Sequence, residues 1–203
     1  MSRSIHQQFL KLSKNISGPL HHSIKQIGVV KITSRQHIPL PELLCRSVAG
    51  QQLSTKAAST IWQRLLDVSN GKSLLEFIHS SKTEDLRTCG LSAAKCKTLS
   101  AIAHSFHTGH ITAENLEKLD QKQRAKTLTS IWGVGPWTAD MVNLFYFCDP
   151  DIWPDKDVAV IKTFQKLIGE DKDISTTAEK FSPYRSYLAM YMWQHKDNKP
   201  MTI

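Results

Sequence analysis

Cysteine is scarce and scattered. Cys45, Cys89, Cys96 and Cys148 form no CxxC pair and no tight cluster. Such spacing argues against a structural zinc and against an iron–sulfur centre held by four cysteines. Long apolar runs are missing too: the stretch around MVNLFYF falls far short of the ~20 residues that a membrane-spanning helix needs. The opening MSRSIHQQFLKLSKN lacks the apolar h-region of a secretory signal. Strand alternation is nearly absent. Only GVVKITS, residues 28 to 34, resembles a strand, and a lone strand makes no sheet. No internal repeat or low-complexity tract stands out. These absences predict an intracellular chain with reduced thiols and no membrane partner.

Charge of one sign is in excess. Among 203 residues, 26 are basic and 18 acidic, for a net charge of +8. With 40% hydrophobic and 22% charged residues, the composition is that of a globular protein. The basic surplus points to an anionic partner, nucleic acid being the usual one.

Helical periodicity runs through nearly the whole chain. Ala58, Ile61, Trp62 and Leu65 share one apolar face, with Ser54 placed to cap the helix and Trp62 read as core packing. Leu99, Ile102, Ala103 and Phe106 form a second face. Val158, Ile161 and Ile168, with Phe164 and Leu167 beside them, form a third, and Leu188, Tyr191 and Met192 a fourth. Gly18-Pro19, Gly71, Gly90, Gly109, Asp149-Pro150 and Ser182-Pro183 punctuate the pattern. The expected fold is all-α, with roughly ten short helices. Residues 45 to 135 are expected to form one lobe, and 1 to 44 with 136 to 203 the other, as a single domain. His21 and His22 are adjacent and so face different ways on a helix, which marks them as surface residues rather than a metal site.

The segment KTLTSIWGVGPWTADMVNLF reads as helix, tight turn, helix, with the break between Trp132 and Trp137. Gly133 and Gly135 permit positive φ and close approach of another backbone. Pro136 suits the first turn of the next helix, where its missing N–H is not needed. The N-terminus of that helix then aims backbone N–H groups and a positive dipole end outward, where a phosphate fits. Such a contact carries no base information.

Downstream, DPDIWPDKDVAVIKTFQKLI sets Asp157 just ahead of an apolar-periodic helix, 22 positions after Gly135. Capping is its plain role. Helix N–H groups also favour the charged form of a carboxylate, so one aimed into a cleft stabilises developing positive charge. Asp151 and Asp155 are nearby competitors, and Pro154 stiffens the approach.

Together these stretches resemble the helix-hairpin-helix (HhH-GPD) DNA glycosylase superfamily. LTSIWGVGPWTADMV matches its hairpin, and PDKDVAVIK matches the segment with its catalytic aspartate, which falls on Asp157. LLCRSVAGQQLSTKAASTIWQRL resembles the early family segment whose Gln-containing turn enters the DNA minor groove. PYRSYLAMYMW is similar to the C-terminal helix of the AlkA-like branch, the 3-methyladenine DNA glycosylase II enzymes. With GLSAAKCKTL, the resemblance extends over most of residues 40 to 195.

The resemblance implies a two-lobed helical fold with the active-site cleft between the lobes, acting as a monomeric enzyme on double-stranded DNA with alkylated bases. Bifunctional members carry a lysine where this chain has Trp137, so the implied enzyme is monofunctional, with water as nucleophile. Endonuclease III-like members end in a four-cysteine motif, which WQHKDNKPMTI lacks. The resemblance assigns the phosphate grip to Gly133, Val134, Gly135 and Thr138, and the minor-groove wedge to Gln52 and Leu53. It puts Trp137 and Trp193 around the flipped base, with Met141 where the AlkA pattern has an aromatic. No cofactor is required, although hairpin carbonyls near residues 130 to 135 suit a monovalent cation. The expected location is the cytoplasmic nucleoid in a bacterium or the nucleus in a eukaryote. Two other readings keep the hairpin: a glycosylase for oxidised or deaminated bases, and a non-catalytic DNA-binding module in which Asp157 only caps.

Overall fold

The structure, a computed structural model, describes residues 1–197. Among them the chain forms thirteen α-helices and no β-strand. In order these are α1 (Arg3–Lys14), α2 (Gly18–Ile27), α3 (Leu40–Gly50), α4 (Thr55–Ser69), α5 (Leu74–Ser80), α6 (Thr83–Thr88) and α7 (Ala93–His107). There follow α8 (Ala113–Glu117), α9 (Gln121–Thr129), α10 (Pro136–Phe145), α11 (Val158–Ile168), α12 (Ile174–Glu179) and α13 (Arg185–Asp197). Residues 28 to 34, read as strand-like, have no regular structure, and only Val30 of them is buried. β-branched residues favour extended backbone, but without a partner strand their backbone groups have no ladder to join.

The chain divides into two compact units. One is Arg35–Val142; the other joins Met1–Ser34 to the chain from Asn143 on. The first unit starts before the expected 45, because α3 packs on α4, α5 and α7 and so belongs entirely to it, and it ends at Val142, within α10, rather than at 135.

In the Arg35–Val142 unit, α7 is the central helix, packed by α3, α5 and α6. Cys96, Leu99, Ile102 and Ala103 are fully buried along it, while Phe106 is only half-buried. Ser54 caps α4 by accepting from the Ala57 N–H at 3.3 Å. From that helix Trp62 and Leu65 enter the core, whereas Ala58 and Ile61 stay half-buried.

In the other unit, Leu188, Tyr191 and Met192 of α13 are fully buried with Phe9, Leu20, Ile24 and Phe164. Truncating one such aromatic to alanine costs about 3–5 kcal/mol. Tyr191 donates its hydroxyl hydrogen to the Gly28 carbonyl at 2.6 Å, and His6 Nδ1 meets the same hydroxyl at 2.8 Å. Two expectations fail here. Val158 is 63% exposed, since the buried stripe of α11 runs through Val160, Phe164, Leu167 and Ile168 instead. His21 is half-buried rather than a free surface residue: its Nδ1 lies 3.0 Å from the Leu10 carbonyl and 3.2 Å from Ser13 Oγ, tying α2 to α1. His22 is exposed.

Candidate functional site

The hairpin comes from the Arg35–Val142 unit. Its first helix, α9, ends at Thr129 rather than Trp132, and residues 130 to 135 make the turn. Ile131 donates to Leu128 O at 3.2 Å and Val134 to Ile131 O at 3.1 Å, which winds the turn tightly. Gly133 has φ +81°, and a Cβ there would lie 2.1 Å from Thr98 Oγ1 of α7, so glycine is required. Gly135, which permits the same conformation, does not adopt it, and a Cβ on it would meet nothing within 4 Å. Its role is therefore openness rather than backbone freedom.

Pro136 opens α10, and the Gly135 carbonyl accepts the Ala139 N–H at 3.1 Å. Gly135 has no side chain with which to cap the helix. The side chains of Val134 and Thr138 face inward, at 4% and 1% exposure, so the grip expected of them is a matter of backbone alone. Trp132 stands outside, 47% exposed, with Lys97 Nζ 4.1 Å from its ring centroid.

The turn after α3 lies in the same unit. Gln52 has φ +57°, a left-handed conformation uncommon outside glycine, and both Gln52 and Leu53 are exposed. Leu53, at 41% exposure, is therefore not the core residue it could otherwise have been. Two contacts that sequence reasoning missed hold this turn. Gln51 Nε2 donates to Thr138 Oγ1 at 3.1 Å, linking the turn to the first turn of α10. Lys95 Nζ donates to the carbonyls of Ala49 at 2.8 Å and Gln51 at 2.9 Å. Burial lowers the Lys95 pKa from its ordinary value. Nothing in the local sequence links Lys95 to Gln51, 44 positions away.

Asp157 belongs to the other unit. It is 9% exposed and caps α11, its Oδ1 accepting from the Val160 N–H at 2.9 Å. Trp193 of α13 donates its indole N–H to the same oxygen at 3.3 Å. Trp193 is 5% exposed and lies tilted against Phe145, with ring centroids 5.9 Å apart. The two competing aspartates are otherwise engaged. Asp151 makes a two-pronged pair with Arg185, Nε to Oδ1 and Nη2 to Oδ2, both at 2.8 Å. Burial pushes the Asp151 carboxyl up, but hydrogen bonds from the Arg185 side chain and backbone and from Ser182 outweigh it, leaving the pKa below the ordinary value. Asp155 is an exposed residue 4.0 Å from Lys156 Nζ. Of the three, Asp157 alone combines a helix N-terminus with an aromatic N–H donor.

On α10, Trp137 is half-buried and Met141 is 8% exposed, one helical turn apart. Among the described residues no group of three or more His, Cys, Asp or Glu is arranged to hold a metal ion. Nor is any helix among them long and apolar enough to cross a membrane.

Residues 45–184 match the family of HhH-GPD superfamily base excision DNA repair proteins. DNA-3-methyladenine glycosylase 1 of Schizosaccharomyces pombe is 33% identical over 161 residues, 75% of this chain and 71% of the relative. Among solved structures, a DNA-3-methyladenine glycosidase from Bacillus halodurans superposes with TM-score 0.76 at 25% identity, over 92% of this chain and 87% of that one. The 3-methyladenine DNA glycosylase of Schizosaccharomyces pombe in complex with abasic DNA gives TM-score 0.75 at 27% identity, over 95% and 100% of the two chains. The chain belongs to the HhH-GPD superfamily of base excision DNA repair proteins.

Proposed function

We propose that the protein is a monofunctional DNA glycosylase that removes alkylated purines, of the 3-methyladenine and 7-methylguanine type, from duplex DNA. The base is flipped out of the stack, water attacks C1′, and an abasic site enters base excision repair. The reading draws on relatives named as 3-methyladenine glycosylases and on the arrangement around Asp157.

The hairpin grips backbone phosphate through N–H groups at the start of α10, with Gly133, Val134, Gly135 and Thr138 supplying backbone rather than side chains. Gln52 and Leu53 fill the space left by the flipped nucleotide. Trp137, Trp193 and Met141 border the extruded base. An alkylated purine is cationic or electron-poor and sits well on an indole face. Trp193 has a second task, because its N–H orients Asp157.

As the glycosidic bond stretches, positive charge develops on the sugar. Asp157 stabilises that charge and orients or deprotonates the attacking water. The leaving base already carries positive charge, so the second carboxylate that ordinary glycosidases use as an acid is not needed. The enzyme acts as a monomer on double-stranded DNA and uses no cofactor. A monovalent cation on hairpin carbonyls near residues 130 to 135 would support the grip without entering the chemistry. The site of action is wherever the cell keeps its DNA, the nucleoid or the nucleus.

The observation that carries the reading is the Asp157 carboxylate, held at the start of α11 by Val160 and Trp193. Asparagine still caps a helix, so Asp157→Asn leaves the fold and DNA affinity intact. Its single-turnover release of 3-methyladenine falls roughly a hundredfold or more, the scale of losing one preorganised electrostatic group. Full release by the variant would reduce Asp157 to a cap.

A further inference from the structure

Within the Arg35–Val142 unit, one helix reaches both loops assigned to DNA. Lys95 of α7 bonds the turn after α3, and Thr98, nearly one helical turn on, abuts Gly133 of the hairpin. The two loops are also joined directly by the Gln51–Thr138 bond. The turn after α3 is not an easy one. Gln52 sits at φ +57°, where a residue with a Cβ persists only if its surroundings hold it. The surroundings are the two carbonyls, Ala49 O and Gln51 O, that flank Gly50 and are drawn together by a single ammonium group. These carbonyls belong to the end of α3, where no further helical turn provides donors and a cation is favoured.

We propose that Lys95 is a positioning residue, whose ammonium clamps the end of α3 so that Gln52 and Leu53 are presented outward as the wedge. Lys95 touches neither base nor sugar; it acts through the turn. The inference rests on the wedge role given to Gln52 and Leu53 above. A clamped wedge enters the duplex without first ordering, whereas a loose one must be ordered at the moment of insertion, which lowers the population of the flipped state.

The test is a double-mutant cycle read by single-turnover release of 3-methyladenine from methylated duplex DNA. The parent is compared with Lys95→Met, with Gln52→Ala/Leu53→Ala and with all three changes together. Lys95→Arg, which keeps donors at that place, serves as the conservative variant, and Lys95→Gln replaces Lys95→Met should the latter fail to fold. The inference expects about a tenfold loss for Lys95→Met, at least half of the parent rate for Lys95→Arg, and less than a twofold further loss when Lys95→Met is added to the wedge variant. Loss that multiplies fully in the combined variant would overturn it, and so would an unchanged rate for Lys95→Met while the wedge variant is slow. An unchanged rate for the wedge variant itself would instead remove the wedge reading, and this inference with it.

Discussion

Two helices of this protein begin in opposite ways. α11 opens with Asp157, a side chain that turns back to accept the Val160 N–H, so the helix end is satisfied from within and its cap is a charged-type group. α10 opens with Gly135 and Pro136, neither of which brings a side-chain acceptor. The first arrangement holds an acidic group still; the second brings no side-chain acceptor from the two residues that open the helix. In the proposed function the same physics, backbone donors gathered at a helix start, serves chemistry in one unit and binding in the other. What separates them is a single position: an aspartate in one helix and a glycine in the other.

Damage to the second arrangement should be felt in affinity. Gly133→Ala places a Cβ 2.1 Å from Thr98 Oγ1 on a backbone at φ +81°. We expect a loss of about 1–3 kcal/mol in urea unfolding and weaker DNA binding by roughly tenfold. A stable variant with parental affinity would mean that the hairpin is not the grip. For the parent, affinity should also fall steeply as salt rises, because phosphate contacts release counterions.

A smaller effect separates Asp157 from its neighbour Asp151, whose pairing with Arg185 holds its pKa below the ordinary value. A carboxyl depressed on folding adds stability above its unfolded pKa of about 3.9, and that stability is lost as pH falls through the folded pKa. Asp151→Asn should therefore melt lower at neutral pH and lose less on acidification to pH ~3, with base release at neutral pH retained. Release that falls as far as in Asp157→Asn would reassign the chemistry to Asp151. The smallest effect is at Trp132, whose stacking with Lys97 is exposed. Trp132→Ala should cost about 0.5–1 kcal/mol of stability in urea unfolding, and a larger loss would place the indole in the core.

Much of this contrast was legible in sequence. A glycine-rich turn followed by proline, and an aspartate ahead of an apolar-periodic helix, are local signals, and both helices begin where those signals put them. What was illegible depended on distant partners. The hairpin's need for glycine falls on Gly133 alone, because Thr98 of another helix crowds it. Val158 fits a 3.6-residue period, yet the stripe that meets the core starts two residues later, at Val160. His21 is engaged by α1, which no pattern within α2 reveals. Gln51 and Gln52 are identical as letters, but one turns in to Thr138 and the other turns out. Lys95 was missed for the same reason: its partners are carbonyls of a different helix, and carbonyls leave no mark in sequence.

The most direct test of the account is to incubate the protein with randomly methylated duplex DNA, identify the bases released and inspect the strand left behind. The account predicts free 3-methyladenine and an intact strand carrying an abasic site, with no borohydride-trapped protein–DNA adduct. Release of only hypoxanthine or 8-oxoguanine from suitably damaged duplexes, or a trapped adduct, would contradict it.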